Sequence, residues 1–282
     1  MRMPNGLLLA CVWVSFMEVT VATSSAQIVL PPLPSRDQVE QVLAPLAVGE
    51  FDGAFGSHFV VEMWIRNDGD LPARVFRLTC GSNPRACIPT AVPDAPIPAR
   101  TTIQVQPLEN GYGSFKVGEF FWVEKLAAPN VFFSLRVRDT SRSASSVGVT
   151  IPTPRESSMP GRTRVELLNV PVEQGFRHTL RVYTFDLLPS PSLPPNRIRI
   201  YDLQTDALLV DDTIGFGGFE AEGPGFYSVE PLPNVYSFFL DKYDALRGHA
   251  KVRLELESTA YKFWAFVTVA NDVTQETTVI TP

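Results

Sequence analysis

The sequence predicts an all-β protein made of two tandem antiparallel β-sandwiches behind an N-terminal export segment. Three observations carry this. Short apolar/polar alternations recur from about residue 50 to the C-terminus, turn residues separate them, and no long helical periodicity intervenes. With 282 residues the chain has room for two domains. Hydrophobic residues make up 45% and charged residues 19%, enough apolar material to build cores. The 25 prolines and 18 glycines are, at about 15% together, too few for a low-complexity chain. A formal charge of −6 without a dense basic run excludes a phosphate backbone as an expected partner.

The N-terminus has a basic start at Arg2, an apolar stretch from Leu7 to Ala22, and the small-residue run Thr23-Ser24-Ser25-Ala26. That order describes a secretory signal over residues 1–26. Glu18 interrupts the apolar stretch, and a charge at mid-membrane costs ~2.5–3.5 kcal/mol. Leu7 to Met17 alone is too short to span a bilayer, so no stable span is expected after cleavage. An uncleaved anchor and a buried N-terminal element are the alternatives. The expected location is secreted, periplasmic or cell-surface. Cleavage removes Cys11 and leaves Cys80 and Cys87, an even count that suggests a disulfide in an oxidising compartment. Two free thiols are the alternative. Cys80-x6-Cys87 lacks the second ligand pair of a zinc site.

Residues 27–47 read as a proline-rich arm. Ser35-Arg36-Asp37-Gln38 has capping-box spacing, and Val39, Val42, Leu43 and Leu46 follow at helical intervals, so a short helix ending near Pro45 is one reading. The first sandwich is placed at 48–152. In His58–Asn67, Phe59, Val61, Met63 and Ile65 point one way while His58, Glu62, Trp64 and Arg66 point the other. Asn67-Asp68-Gly69-Asp70 then supplies a turn. Strands are expected near 74–80, 101–106, 115–124, 131–138 and 147–151. The prolines between Ile151 and Gly161 mark a semi-stiff linker at 153–163. The second sandwich, 164–282, carries expected strands at 164–169, 177–185, 197–202, 226–230, 235–240, 251–257 and 261–270. Lys251–Glu257 alternates most cleanly, with Val252, Leu254 and Leu256 inward.

The halves read as copies. Phe59-x-Val61-x-Met63 matches Leu180-x-Val182-x-Thr184 at an offset of 121. Phe132-Phe133-Ser134-Leu135 matches Phe263-Trp264-Ala265-Phe266 at 131, and Thr153-Pro154 matches Thr281-Pro282 at 128. Convergent strand composition would give similar matches. The segment Ile151-Pro152-Thr153-Pro154-Arg155-Glu156 and the ending from Trp264 to Asn271-Asp272 and Thr281-Pro282 resemble uncharacterised exported bacterial proteins with tandem immunoglobulin-like sandwiches. That resemblance implies an architecture and transfers no functional residue.

Sequence motifs for chemistry are sparse. The histidines His58, His178 and His249 are isolated in sequence, no Gly-x-Ser-x-Gly elbow occurs, and neither a His-Glu-x-x-His nor a phosphate-loop motif is present. No cofactor, catalytic residue or metal ligand is therefore expected, and the chain reads as a non-enzyme. Asn67-Asp68-Gly69-Asp70, Asp211-Asp212 and Asp241-x-x-Asp244 read as loop acids, with weak calcium binding the less favoured alternative. Aromatics are the suggestive class, at 11%. Trp122 and Trp264 sit among phenylalanines and read as core, whereas Trp64 lies on the outward face of its strand and is the candidate ligand contact. Gly215-Phe216-Gly217-Gly218-Phe219 and Gly223-Pro224-Gly225-Phe226 read as a long inter-strand loop, or else as a contact surface. The expected function is binding, adhesion or structural support at the cell surface, with an unidentified protein or polysaccharide partner. A carbohydrate-binding module, alone or within a polysaccharide-degrading system, is the alternative.

Overall fold

The computed structural model describes residues 32–46, 49–52, 56–80, 87–106, 118–141, 146–159, 163–185, 196–214, 234–237, 243–259, 262–274 and 276–282. The expected signal segment, the expected strand at 226–230 and the Gly/Phe-rich stretch from Gly215 to Phe226 lie outside these residues.

Among the described residues the only helical elements are single 3₁₀ turns, and every strand pairing is antiparallel. The strands are β1 (Val39–Ala44), β2 (Glu50–Asp52), β3 (His58–Asn67), β4 (Val75–Cys80), β5 (Cys87–Ala91), β6 (Thr101–Val105), β7 (Glu119–Glu124), β8 (Val131–Asp139) and β9 (Val149–Ile151) in the first half. The second half contributes β10 (Arg164–Pro171), β11 (Phe176–Thr184), β12 (Asn196–Asp202), β13 (Leu208–Ile214), β14 (Asn234–Ser237), β15 (Lys251–Glu257), β16 (Phe263–Asn271) and β17 (Thr277–Ile280). They form four sheets, consistent with two β-sandwiches: β1-β7-β4-β5 with β2-β3-β8-β9, and β10-β15-β12-β13 with β14-β11-β16-β17. β6 joins β3 on the edge that β2 also uses.

The two halves have one strand order. Replacing β1, β7, β4, β5 by β10, β15, β12, β13, and β6, β3, β8, β9 by β14, β11, β16, β17, carries every pairing of these strands from one half to the other; among the described residues only β2 has no counterpart. The ladders also correct one of the sequence matches. Met63 lies opposite Leu135, and Thr184, the match of Met63, lies opposite Phe263. Leu135 therefore corresponds to Phe263 at an offset of 128, not to Phe266 at 131. An odd error exchanges the two faces of a strand. Leu135 and Phe263 each belong to their own half's core, whereas Phe266 faces the other way.

The short helix that is one reading of the segment after Ser35 stops after one 3₁₀ turn, Arg36–Gln38. The capping box is present, with the Gln38 side-chain oxygen accepting from the Ser35 N–H at 2.9 Å. The Ser35 hydroxyl also donates to Asp37 at 2.5 Å. The chain then enters β1, where all residues but Glu40 are buried and the ladder to β7 satisfies the backbone. A strand covered on both sides shows no alternation, so its apolar positions imitate helical spacing.

The core of the second half gathers Leu180 and Val182 of β11, Ile198 and Ile200 of β12, Val252, Leu254 and Leu256 of β15, and the odd-numbered residues Phe263 to Val269 of β16. The opposite face of β11 and β16 is apolar too. Tyr183, Phe185, Trp264 and Phe266 join the core of the first half, where the Phe185 ring meets Phe120 at 5.3 Å. Residues 34–282 are accordingly one compact unit. The stretch read as a linker is also docked: the Leu43 N–H donates to the Pro154 carbonyl at 2.9 Å, and Arg155 bridges Val42. It covers the free edge of β1, which would otherwise expose unpaired backbone groups.

Candidate functional site

Alternation along β3 turns Val61, Met63 and Ile65 into the core and leaves Glu62, Trp64 and Arg66 on the outer face. The ladders carry this face onto the neighbours. Trp64 lies opposite Ser134 on β8 and Gln104 on β6, Glu62 opposite Arg136, and Arg66 opposite Phe132 and Thr102. Phe132, Ser134 and Arg136 thus alternate along the outer face of β8, with Trp64 beside the middle one. Trp64 is half-buried, Ser134 and Gln104 are exposed, and Phe132 is 49% exposed.

The charges on this face divide into two classes. Arg138 is committed to Glu62, and Arg66 donates to Asp68 at 2.7 Å and to Thr102 at 3.2 Å. Arg136 has neither an ion pair nor a hydrogen bond to its side chain among the described residues. Its guanidinium is available next to Trp64, along with the hydroxyl of Ser134 and the amide of Gln104.

Phe132 also borders an open depression of about 1010 Å³ lined by Arg36, Asp37, Glu40, Lys125, Arg155 and Glu156 among others. The turn after β7, the 3₁₀ turn before β1 and the docked 154–158 segment converge there. Arg36 pairs with Glu156 at 2.6 Å and Arg155 with Glu40 at 3.0 Å, and Arg155 also donates to the carbonyls of Ala128 and Val131. These pairs fasten the arm and the connecting segment to the first half. Lys125 is exposed, with no carboxylate in ion-pair contact among the described residues. The Ser35 hydroxyl holds the Asp37 carboxyl below its usual range, with a small contribution from Lys125.

Among the described residues the other two tryptophans, Trp122 and Trp264, occupy different settings. Trp264 is 4% exposed, within 5.0 Å of the Phe266 ring, and Trp122 is half-buried with its indole nitrogen enclosed. Cys80 and Cys87 lie directly opposite one another in the β4–β5 ladder.

The histidines are far apart in role. His58 lies between Asp52 at 2.9 Å and Glu50 at 3.5 Å, and hydrogen bonding to Asp52 raises its pKa. His249 approaches Asp202 at 2.7 Å. The Asp202 carboxyl is pulled down to about 2, first by the Thr205 N–H and then by His249. This Asp202 arrangement closes the turn between β12 and β13. Among the described residues no three His, Cys, Asp or Glu side chains are grouped as metal ligands. The acids of Asp211-Asp212, read as a loop, instead belong to β13: Arg197 donates to Asp211 at 2.7 Å and the Tyr243 hydroxyl to Asp212 at 2.8 Å. Asn67 closes its turn by donating to the Leu71 carbonyl at 2.8 Å and accepting from the Gly69 N–H at 2.9 Å.

The outer face of β10-β15-β12-β13 has a different character. Glu255 points outward, yet is 2% exposed because Arg164, Arg199 and Arg253 close over it. Glu166, Glu257, Asp206 and Asp211 complete the neutralisation of this arginine ladder. Its charges are used internally, whereas Arg136 and Lys125 are not. Sequence reasoning singled out Trp64 and missed Phe132, Arg136 and Lys125. The parity of 131–138 carries the first two, once β8 is known to lie beside β3.

Comparisons with protein-family models, curated proteins and solved structures returned no match, so the likeness to exported tandem sandwiches extends to an all-β antiparallel architecture and no further.

Proposed function

We propose that this chain is a non-catalytic exported or cell-surface protein of two immunoglobulin-like sandwiches, one from each half, that works in binding, adhesion or structural support. The observation that carries the reading is the open face of β3 and β8, where Trp64 and Phe132 present ring surface beside uncommitted polar groups. Aromatic rings on a rigid sheet give contact area at little entropic cost, which suits recognition.

The immunoglobulin-like reading draws support from the pairings. In each half the second and fifth strands of the common pattern pair (β3 with β6, β11 with β14), and the third pairs with the sixth (β4 with β7, β12 with β15). These are the B–E and C–F contacts of that sandwich. The terminal strands exchange places, with β1 and β10 beside the sixth strand and β8 and β16 beside the second. The identical order in both halves supports duplication of one ancestral unit. The export reading rests on the signal-like residues 1–26 and the two cysteines that remain. Opposite positions in an antiparallel ladder have Cα atoms ~4.5–5.5 Å apart, within disulfide reach, so a Cys80–Cys87 bond belongs to this proposal. A two-dalton mass difference on reduction tests it.

The second reading, a carbohydrate-binding module, is favoured by the same two rings. A glycan array and a surface-protein overlay, each run with the chain and with Trp64→Ala, separate the readings. A glycan signal lost in the variant favours the sugar reader, and a Trp64-dependent protein signal favours adhesion. Silence on both removes the binding proposal.

A further inference from the structure

The chain has a net charge of −6, and most of its arginines on sheet faces are matched by carboxylates. Among the described residues Arg136, Lys125 and Lys251 have no carboxylate in ion-pair contact, and of these Arg136 and Lys125 lie beside half-buried Trp64 and exposed Phe132. Arg136 lies two residues beyond Ser134, which is opposite Trp64; Lys125 lines the depression that Phe132 borders. From Phe132 to Arg136 the strand advances about 13 Å, and Trp64 is diagonal to Phe132, with Cα atoms ~7–8 Å apart. The succession runs from Arg136 past Trp64 and Phe132 on the face to Lys125 in the adjoining depression. Ser134 and Gln104 add neutral hydrogen-bonding groups between the two ends.

We propose that this face binds an acidic linear polysaccharide, with sugar rings against Trp64 and Phe132 and carboxylate groups on Arg136 and Lys125. The proposal rests on the binding reading given above and adds the ligand class. An open sheet face with rings spaced along a strand suits an extended chain, and ring contact serves any sugar. The two free cations are what select an acidic one. An unpaired guanidinium already at the surface gains a charge-assisted contact with a uronate without first breaking an internal pair. Arg66 and Arg138 would have to surrender Asp68 and Glu62. The overall negative charge opposes an acidic polymer at long range, so affinity must come from close contacts on this face.

The test is affinity electrophoresis of the purified chain through gels containing polygalacturonate, a neutral dextran, or polyglutamate. Retardation by polygalacturonate is expected, weakening as salt rises and far exceeding that by dextran. Arg136→Ala and Lys125→Ala are each expected to weaken binding about tenfold, the size of one lost charge-assisted hydrogen bond. Trp64→Ala is expected to weaken it at least as much; Arg136→Ala and Lys125→Ala keep the parent's melting temperature, and Trp64→Ala stays within about 4 °C of it. Equal retardation by dextran, lost in Trp64→Ala and unchanged in Arg136→Ala, would overturn the acidic ligand and leave the binding reading standing. Retardation by polyglutamate matching that by polygalacturonate would overturn the sugar in favour of an acidic polypeptide. No retardation by any polymer overturns the inference outright, and the surface-protein overlay then decides the binding reading separately.

Discussion

Trp264→Ala tests whether the two halves share one hydrophobic junction. The indole is 4% exposed, and its neighbours Tyr183 and Phe266, at 6.2 and 5.0 Å, belong with it to the core of the first half although all three come from the second. Truncating a buried tryptophan costs about 3–5 kcal/mol. For a chain of this size each kcal/mol lowers the melting temperature by roughly 2–4 °C, so a fall of about 10 °C is expected. Calorimetry should also resolve two transitions in the variant, because the contact that couples the halves is thinned. Trp64→Ala is the internal control: same residue type, half-buried on an open face, expected to cost about 1 kcal/mol or less. Equal shifts for the two variants, or a Trp264→Ala protein melting within about 2 °C of the parent, would refute the shared junction.

Other consequences follow from single residues. Glu255→Ala strips the carboxylate from beneath Arg164, Arg199 and Arg253 and should cost about 2 kcal/mol in urea unfolding, less than a fully buried pair because the guanidiniums reach solvent. Gly148 has a φ of +74°, and a Cβ there would lie 2.4 Å from the Val137 carbonyl oxygen, so Gly148→Ala should destabilise the β8–β9 connection by about 2 kcal/mol. His58 has a raised pKa, so its stabilising contacts with Asp52 and Glu50 are complete below the unfolded value of 6.5 and disappear as pH rises through the higher folded value. Amide protection factors in β2, measured by NMR, should therefore fall between pH 6 and alkaline pH, and His58→Phe should flatten that dependence. Asp202 is depressed to about 2, so its contribution is present above 3.8 and is lost as pH falls toward 2. The acid limb of urea unfolding should be shallower in Asp202→Asn.

Much of the fold was legible where one side of a strand meets water. β3 and β15 occupy the residues that alternation indicates, His58–Asn67 and Lys251–Glu257. Sequence reasoning failed where that contrast vanishes. β1 is covered by β7, by the core and by the docked connection, and its apolar residues imitated a helix. β13 was passed over because Asp211-Asp212 resembles loop chemistry, yet Arg197 and Tyr243 satisfy both acids across the sheet. The openness of Trp64 followed from parity alone. The uncommitted state of Arg136 and Lys125 did not, because it depends on where every other carboxylate went. Arg36 with Glu156 and Arg155 with Glu40 are pairs more than a hundred residues apart, and local spacing carries no trace of them.

The most direct test of the account is hydroxyl-radical footprinting of the chain alone and saturated with the polymer or surface protein that the screens retain. Oxidation of Trp64 and Phe132 should fall several-fold on binding, while the exposed Leu168, Leu208 and Val273 stay as reactive as before. Unchanged reactivity at Trp64 and Phe132, with protection appearing instead around Leu208 on β13, would contradict it and move the binding surface to the second half.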